Sequence, residues 1–257
     1  MVARLGLWVL EGSDWLTGFG HLTTQTLRLT LSRPWRLREV IHQIYFVANR
    51  SALIIAFCVA FAAVVAILEA SYHMKLVISN DALVPGFAAL LILRELGVMV
   101  AALLLTSRVG AGMAAEVGSM QITEQIDAYR MLGMDPIKYI VVPRFLACIL
   151  GGLVLTLISN FVCLYAAMLV SSVQLGYSEG SFILAMNAFV DFRDLLFAGV
   201  KGAVFGAAIP LISCYQGFRC RAGAEGVGQA TTNSVVMASV TIIILDFILG
   251  WFFSNFY

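Results

Sequence analysis

The chain has 257 residues, of which 61% are hydrophobic and 12% charged, and its formal net charge is +1. A soluble domain averages about 45–50% apolar and about 25% charged residues, so we expect most of this chain to face lipid. The near-neutral charge gives no support for a nucleic-acid partner. The five cysteines are scattered without a CxxC pair, which argues against disulfides and zinc, and we predict no metal site.

Residues 1–50 are rich in arginine and predict an amphipathic helix that lies in the membrane interface. The apolar residues recur at helical spacing and the polar ones lie on the other side: Trp15, Leu16, Phe19, Leu22 and Leu29 against His21, Gln25 and Arg28. An ordinary surface helix has the same pattern, but an interfacial helix suits so apolar a chain better. After Ser32 and Arg33, Pro34 is expected to open a short second helix.

Five apolar segments follow, so the predicted fold is an all-α membrane protein with an N-terminal amphipathic interfacial helix plus five transmembrane helices. We divide the chain into an N-terminal region, 1–50, and a five-span domain, 51–257. The spans are expected at about 51–68, 85–107, 145–173, 195–215 and 234–253. The segments between them, at 69–81, 108–144, 174–194 and 216–232, are expected to be loops, of which 108–144 is structured and 174–194 has an apolar face.

The basic residues predict the orientation of these spans. If the N-terminus is cytoplasmic, the inner segments contain Arg4, Arg28, Arg33, Arg36, Arg38, Arg50, Arg108, Arg130, Lys138, Arg144, Arg219 and Arg221. The outer segments then contain only Lys75 and Arg193. This asymmetry predicts a cytoplasmic N-terminus and, after five spans, a periplasmic C-terminus. No cleavable signal peptide is expected, because residues 1–50 lack an apolar region with a cleavage site.

Four charged residues fall within predicted spans: Arg94, Glu95, Lys201 and Asp246. Each costs about 2.5–3.5 kcal/mol at a helix centre, so we expect them to pair with one another and to bring three spans together. They either hold helices together or line a polar route that meets a substrate headgroup. Arg94 and Glu95 are adjacent and therefore point about 100° apart on a helix.

The 108–144 segment predicts a short amphipathic helix outside the membrane. Ser119 is a candidate N-cap, and Ile122, Ile126 and Tyr129 form one apolar stripe, with Glu124, Asp127 and Arg130 off it. Gly133 is expected to end the helix in the left-handed conformation. Asp135 then caps a new helix with Pro136 at its first position. On pattern alone, this helix either docks into another protein or packs onto its own bundle.

The same region carries a family resemblance. The motifs RELG, RVGAGMAAE, TEQIDA and MDPIKYIVVPR follow one another between Arg94 and Arg144, and GAEGVGQATTNSVV follows at 223–236. This series resembles the signature of the MlaE-type permeases, the membrane subunits of ABC transporters that move phospholipids or other lipids. The resemblance covers essentially the whole chain. Val98-Met99 stands where relatives often have Pro-Val, and Arg130-Met131 replaces a more usual acidic-hydrophobic pair.

The resemblance implies partners and a site. It implies a homodimer in the bacterial inner membrane, a cytoplasmic ABC ATPase dimer that binds ATP and Mg, a periplasmic hexamer of MCE domains and, in some systems, a STAS-domain protein. The loop helix becomes the coupling helix, with Ile122, Glu124, Ile126, Asp127, Tyr129 and Arg130 facing the ATPase. The activity implied is movement of phospholipid between the inner membrane and the MCE partner, which maintains outer-membrane lipid asymmetry.

The chain is not expected to be an enzyme itself. It has no P-loop, HExxH or GxSxG motif, and Gly223, Gly226 and Gly228 are interpreted as a flexible turn. Three other readings are considered. They are an ATP-independent ion or solute carrier that uses the intramembrane charges, an intramembrane lipid enzyme, and a scaffold that only anchors the outer ring.

Overall fold

The computed structural model describes residues 2–32, 36–77, 84–221 and 223–255, and the regular structure of these residues is entirely helical. The α-helices are α1 (Val2–Leu31), α2 (Leu37–Val77), α3 (Val84–Leu91), α4 (Gly97–Leu105), α5 (Ala111–Ile122), α6 (Gln125–Met131), α7 (Val142–Gln174), α8 (Glu179–Phe189), α9 (Phe192–Phe218) and α10 (Ala224–Ser254). Three π-helical turns lie at Ile92–Leu96, Thr106–Gly110 and Ile137–Val141.

Within the described residues, five helical rods are long and apolar enough to cross a membrane: Leu37–Met74, Val84–Ile122, Ile137–Gln174, Phe192–Phe218 and Ala224–Ser254. The predicted all-α membrane class is therefore confirmed. Each rod extends beyond its predicted span, because a helix continues into water wherever its polar residues still permit helical hydrogen bonds. The second rod is continuous from α3 to α5 through two π-helical turns.

Several predicted loop boundaries are wrong. The described part of 69–81 continues α2 to Val77, and residues 108–122 extend the second rod. Ser119 therefore lies inside α5 and caps nothing. The Gly-rich segment at 216–232 is mostly helical, and Gly226 and Gly228 belong to the first turns of α10. The helix expected to open at Pro34 lies outside the described residues, and the next described helix begins at Leu37.

α2 buries one narrow stripe along most of its length. The buried positions recur every fourth residue: Val47, Ser51, Ile55, Val59, Ala63, Ile67 and Ser71. Large apolar side chains such as Leu53, Phe57 and Phe61 are exposed on the other side. A long helix with one buried stripe and an exposed apolar face is expected at the lipid boundary of a bundle.

α7 and α9 form the centre of the bundle through glycines. A Cβ added to Gly206 would meet the backbone of Cys148, and one added to Gly202 would meet the side chain of Thr156. On α7, a Cβ at Gly152 would lie 2.6 Å from the carbonyl oxygen of Gly202. The Gly202-xxx-Gly206 spacing therefore lets the two backbones touch, as small residues do between membrane helices.

The two ends of the bundle differ. At one end, here named the α6 end, α1 packs against α9: Trp15 stacks on Phe19 at 5.2 Å, and both rings lie edge-on to Tyr215. The N-terminal helix is thus present, and its membrane-interface position stays a prediction. At the opposite end, the α8 end, Ser178 caps α8 by accepting a hydrogen bond from the Ser181 N–H. There the buried Phe182 of α8 joins the core, as the apolar face predicted for this segment requires.

Candidate functional site

The ammonium of Lys201 lies at the centre of the charged residues within the spans. Its Nζ is 2.9 Å from Glu95 Oε1, 2.7 Å from Asp246 Oδ1 and 3.0 Å from the carbonyl oxygen of Arg94. Glu95 Oε1 and the Arg94 carbonyl oxygen accept hydrogen bonds from the ammonium, and Asp246 adds an ion pair without hydrogen-bond geometry. The Lys201 side chain is 0% exposed, which is possible only because both charge and hydrogen bonds are matched.

An aromatic pair completes the enclosure of Lys201. The Phe197 ring centroid lies 4.7 Å from Nζ, and Phe197 packs on Phe253 with ring centroids 3.9 Å apart. The ring face is the negative side of the aromatic quadrupole and attracts the ammonium. Because Phe253 belongs to α10, this contact adds an apolar link between α9 and α10 beside the Lys201–Asp246 ion pair.

Arg94 pairs with an acid that the sequence analysis did not select. Its Nε lies 2.6 Å from Asp194 Oδ1, and Asp194 is buried. The other oxygen of Asp194 accepts a hydrogen bond from the Asp191 N–H, closing a capping box at the start of α9. Sequence analysis assigned Asp194 to the end of a loop. The Asp-x-x-Asp spacing is the signal that places it in the first turn of a helix.

The prediction that Arg94 and Glu95 point in different directions is confirmed, since Arg94 faces Asp194 and Glu95 faces Lys201. Both lie in the π-helical turn Ile92–Leu96, where the Gly97 N–H donates to the carbonyl of Ile92, five residues back. π-helical turns recur at functional sites because they redirect side chains and carbonyls. Here the turn contains Arg94, whose carbonyl oxygen accepts a hydrogen bond from the Lys201 ammonium.

Asn160 supports this turn from α7. Its Nδ2 donates to the carbonyl of Leu93 at 3.4 Å, and its Oδ1 occupies the space where a Cβ on residue 97 would lie. A side chain at position 97 would therefore force the buried amide of Asn160 to move away from this turn. Asn160 was not selected from the sequence, in which a lone amide in an apolar run gives no signal of its partner.

The charged groups form one assembly with a net formal charge. Three carboxylates (Glu95, Asp194 and Asp246) face two cations (Arg94 and Lys201), so the sum is −1 when all are ionised. The four-residue set predicted from the sequence was neutral, and the difference is Asp194. Glu95 is 45% exposed and Arg94 is 32% exposed. These two side chains can therefore present one negative and one positive group to a ligand.

The α6 helix turns its predicted apolar stripe inward. Ile126 is fully buried with Val117, Ile140 and Phe145, and Tyr129 stacks on Tyr139 with ring centroids 6.1 Å apart. Of the two arrangements left open by the sequence, the stripe adopts packing on its own bundle. Ile122 is partly buried at the end of α5, so two helices share the stripe.

The exposed face of α6 consists of other residues. Glu124 precedes α6 in the left-handed conformation with φ 57°, and Asp127 pairs with Arg130 at 3.0 Å in water. Met131 and Leu132 are 84% and 73% exposed. Two adjacent apolar side chains in water at a helix end mark a contact surface better than the buried stripe does. In the sequence these two residues give no signal of a contact surface, because they lie just before Gly133, which ends the helix at φ 71° as predicted.

The end of this segment is held to the bundle by Asp135 and Arg144. Asp135 Oδ1 accepts a hydrogen bond from the Ile137 N–H at 2.9 Å, which confirms its predicted capping role. The buried Arg144 lies 2.9 Å from Glu116 Oε2 and donates to the carbonyl of Ile140 at 2.7 Å. This pair joins α5 to α7 close to the α6 end.

Known proteins are similar to this one over most of its length. The family model "Permease MlaE" matches residues 40–252. A probable ABC transporter permease protein of Rickettsia felis is 35% identical over 216 residues, which are 84% of this chain and 83% of that protein. The intermembrane phospholipid transport system permease protein MlaE of Haemophilus influenzae is 33% identical over 211 residues, 82% of this chain and 80% of that protein. The chloroplastic protein TRIGALACTOSYLDIACYLGLYCEROL 1 of Arabidopsis thaliana is 39% identical over 168 residues, 65% of this chain and 48% of that protein.

Proposed function

The chain belongs to the MlaE permease family, and on that premise we propose that it is the membrane subunit of an ABC transporter that moves phospholipids between the inner membrane and a periplasmic MCE partner. The observation that carries the proposal is the charge cluster of Lys201, Glu95 and Asp246 inside a five-span bundle. Buried charge of this kind is expensive in lipid and is kept where a polar group must pass.

The cluster suits an amphiphile with a zwitterionic headgroup. The partly exposed Glu95 and Arg94 offer opposite charges to an ammonium and a phosphate, respectively. Exposed apolar side chains lie on α10 before and after Asp246, among them Ile243, Phe247 and Trp251. Acyl chains can lie on that face while the headgroup meets the charges, so both parts of a phospholipid have a matching surface.

The proposed assembly is a homodimer with a cytoplasmic ABC ATPase dimer, an MCE-domain hexamer on the periplasmic side and, in some systems, a STAS-domain protein. ATP and Mg bind to the partner ATPase. The positive-inside rule supports placing the α6 end in the cytoplasm and the C-terminus in the periplasm. In this proposal, the movement of phospholipid maintains the lipid asymmetry of the outer membrane.

The exposed apolar residues Met131 and Leu132 are the proposed ATPase contact. Movement of α6 reaches the bundle through the buried Ile126 and the Tyr129–Tyr139 stack. The coupling residues predicted from the sequence therefore take two roles in this proposal: Glu124, Asp127 and Arg130 flank the contact surface, and Ile122, Ile126 and Tyr129 transmit its movement.

The alternative is an ATP-independent ion or solute carrier that uses the same charges. Lys201 is fully enclosed, and its ammonium is held by two hydrogen bonds and by the Asp246 ion pair, so this cation is poorly placed to act as a mobile carrier. This geometry favours the lipid transporter. A gradient-driven flux without nucleotide would nevertheless select the alternative.

The test is reconstitution of the purified complex, with its ATPase, in vesicles containing fluorescent phospholipid. We expect lipid transfer that requires ATP and that falls at least tenfold, about 1.4 kcal/mol, in Glu95→Gln. The matched control is Glu69→Gln, which changes an exposed glutamate on α2. Transfer that ignores ATP, or that falls equally in both variants, contradicts the proposal.

A further inference from the structure

A cavity with two basic side chains in a largely apolar wall lies at the α6 end, away from the charge cluster. It has a volume of about 150 Å³ and lies where the end of α1, the start of α2 and the π-helical turn Ile137–Val141 meet. We name it the Arg36 cavity. Its lining includes Ser32, Arg36, Val40, Lys138, Tyr139 and Pro143.

Among the residues that the structure describes, two cations and no carboxylate line the Arg36 cavity. Arg36 and Lys138 are both in its wall, and neither forms an ion pair with any residue that the structure describes. Two like charges that face one small space repel each other unless an anion lies between them. Arg36 is exposed and Lys138 is partly buried, so water screens their repulsion in part, but the local positive charge favours an anionic ligand.

Arg36 is positioned for such a ligand. Its guanidinium carbon lies 4.5 Å from the centroid of the Tyr139 ring. A guanidinium stacked on an aromatic face keeps the N–H groups at its edge available for bidentate contact with a phosphate. Lys138 precedes Tyr139 in the same turn and adds a second charge.

The remaining wall is apolar and limits what the anion can be. Val40, Val142, Pro143 and Leu146 supply hydrocarbon beside the cations. The cavity volume of about 150 Å³ leaves room for the phosphate of a headgroup. A phosphate attached to an apolar body outside the cavity meets both requirements.

We propose that the Arg36 cavity binds the phosphate of an anionic membrane lipid in the leaflet at the α6 end, at a site separate from the transported lipid. Clusters of basic residues beside membrane helices recognise such headgroups. The site lies next to α6, because Tyr139, which stacks under Arg36, also stacks on Tyr129 of α6. Binding at this site does not depend on the transport activity proposed above.

The experiment measures lipid retained by the purified complex in detergent, by native mass spectrometry, with phosphatidylglycerol as the anionic probe and phosphatidylethanolamine as the zwitterionic one. The test variant is Arg36→Gln with Lys138→Gln. The matched control is Arg28→Gln with Arg38→Gln, which removes two exposed arginines from the same end without touching the cavity. We expect the test variant to lose at least about tenfold in phosphatidylglycerol affinity and the control less than about twofold.

Three outcomes overturn the proposal: equal loss in both double variants, no loss in either, or equal binding of phosphatidylethanolamine. A separate arm adds inorganic phosphate alone at the lipid concentration, and complete displacement of phosphatidylglycerol assigns the site to a soluble anion instead. If the test variant does not assemble, Leu146→Phe decides, because it fills the apolar wall and keeps both cations. Undiminished phosphatidylglycerol binding in Leu146→Phe also overturns the proposal.

Discussion

Asp194 joins two parts of the protein, because one of its oxygens lies 2.6 Å from Arg94 Nε and the other accepts the N–H of Asp191 at the start of α9. The second span and the first turn of the fourth are thus held by a single carboxylate. Asp194, which the sequence pattern assigned to a loop, therefore lies in the first turn of α9 and belongs to the same charged assembly as Arg94, Glu95, Lys201 and Asp246.

Asp194→Asn is expected to separate these two roles. An amide oxygen still accepts the capping hydrogen bond, but Arg94 loses its counter-charge, so we expect a loss of about 2 kcal/mol of stability. Thermal unfolding of the purified protein in detergent measures it. Asp191→Asn is the control and should change stability by less than about 0.5 kcal/mol, because its pair with Arg193 is 3.8 Å long and exposed. Equal effects would show that the Arg94 pair contributes nothing beyond the cap.

Lys201→Met is expected to destabilise the protein by about 3 kcal/mol, since it leaves Glu95 and Asp246 close together without their shared cation. The triple variant Lys201→Met, Glu95→Gln, Asp246→Asn removes every charge from the trio, and we expect it to recover most of the lost stability. Thermal unfolding and ATP-driven lipid transfer are measured on both. Recovery of transfer along with stability in the triple variant would make these charges purely structural.

Substitutions at the exposed end of α6 should lower ATP turnover, whereas substitutions on its buried face should lower stability. Met131→Asp with Leu132→Asp alters side chains that are exposed, so stability should stay within about 0.5 kcal/mol while lipid-stimulated ATP turnover of the complex falls several-fold. Ile126→Ala empties a fully buried position and should lose about 2–5 kcal/mol of stability. ATPase assays and thermal unfolding on the same preparations separate the two. A stable Ile126→Ala, or an unaffected ATPase in the double variant, contradicts the assignment of faces.

Gly206→Ala is expected to disrupt the α7–α9 contact, because its new methyl group would meet the carbonyl of Cys148, which is backbone and cannot rotate away. We expect destabilisation of about 1–3 kcal/mol by thermal unfolding. Gly199→Ala on the same helix is the control: a Cβ there meets nothing within 4 Å, so the change should be neutral or stabilising by up to about 1 kcal/mol. Destabilisation of both to the same degree would attribute the effect to α9 itself.

The sequence predicts the five spans because about 20 apolar residues in a row have few alternatives to a transmembrane helix. It does not predict where those helices end, since Ser119, Gly226 and Gly228 suggest breaks that helical hydrogen bonding overrides. The partners of buried polar and charged side chains are harder to predict from the sequence than the helix ends. Asp194 and Asn160 meet their partners only after α7 and α9 pack against the second span, and those contacts cross 100 and 67 residues of chain.

In residues 108–144, too, the sequence predicts a helix face but not the surface that covers it. The 3.6-residue period identifies the stripe of Ile126 and Tyr129 correctly, yet periodicity alone cannot say which neighbour covers it. The protein's own core covers Ile126, so we propose Met131 and Leu132 as the contact with the ATPase. In the sequence these two residues, beside Gly133, look like an ordinary helix end.

The glycine contact between α7 and α9 has a mechanical consequence. Where backbone meets backbone, as at Gly206 and Cys148, no side chains lie between the helices to change rotamer and absorb sliding. The two spans should therefore travel as one rigid body throughout a transport cycle. α10 is the least buried of the five rods and is joined to that body at the charge cluster through Lys201 and Asp246, so opening and closing of the lipid route should come from displacement of α10 against this fixed pair.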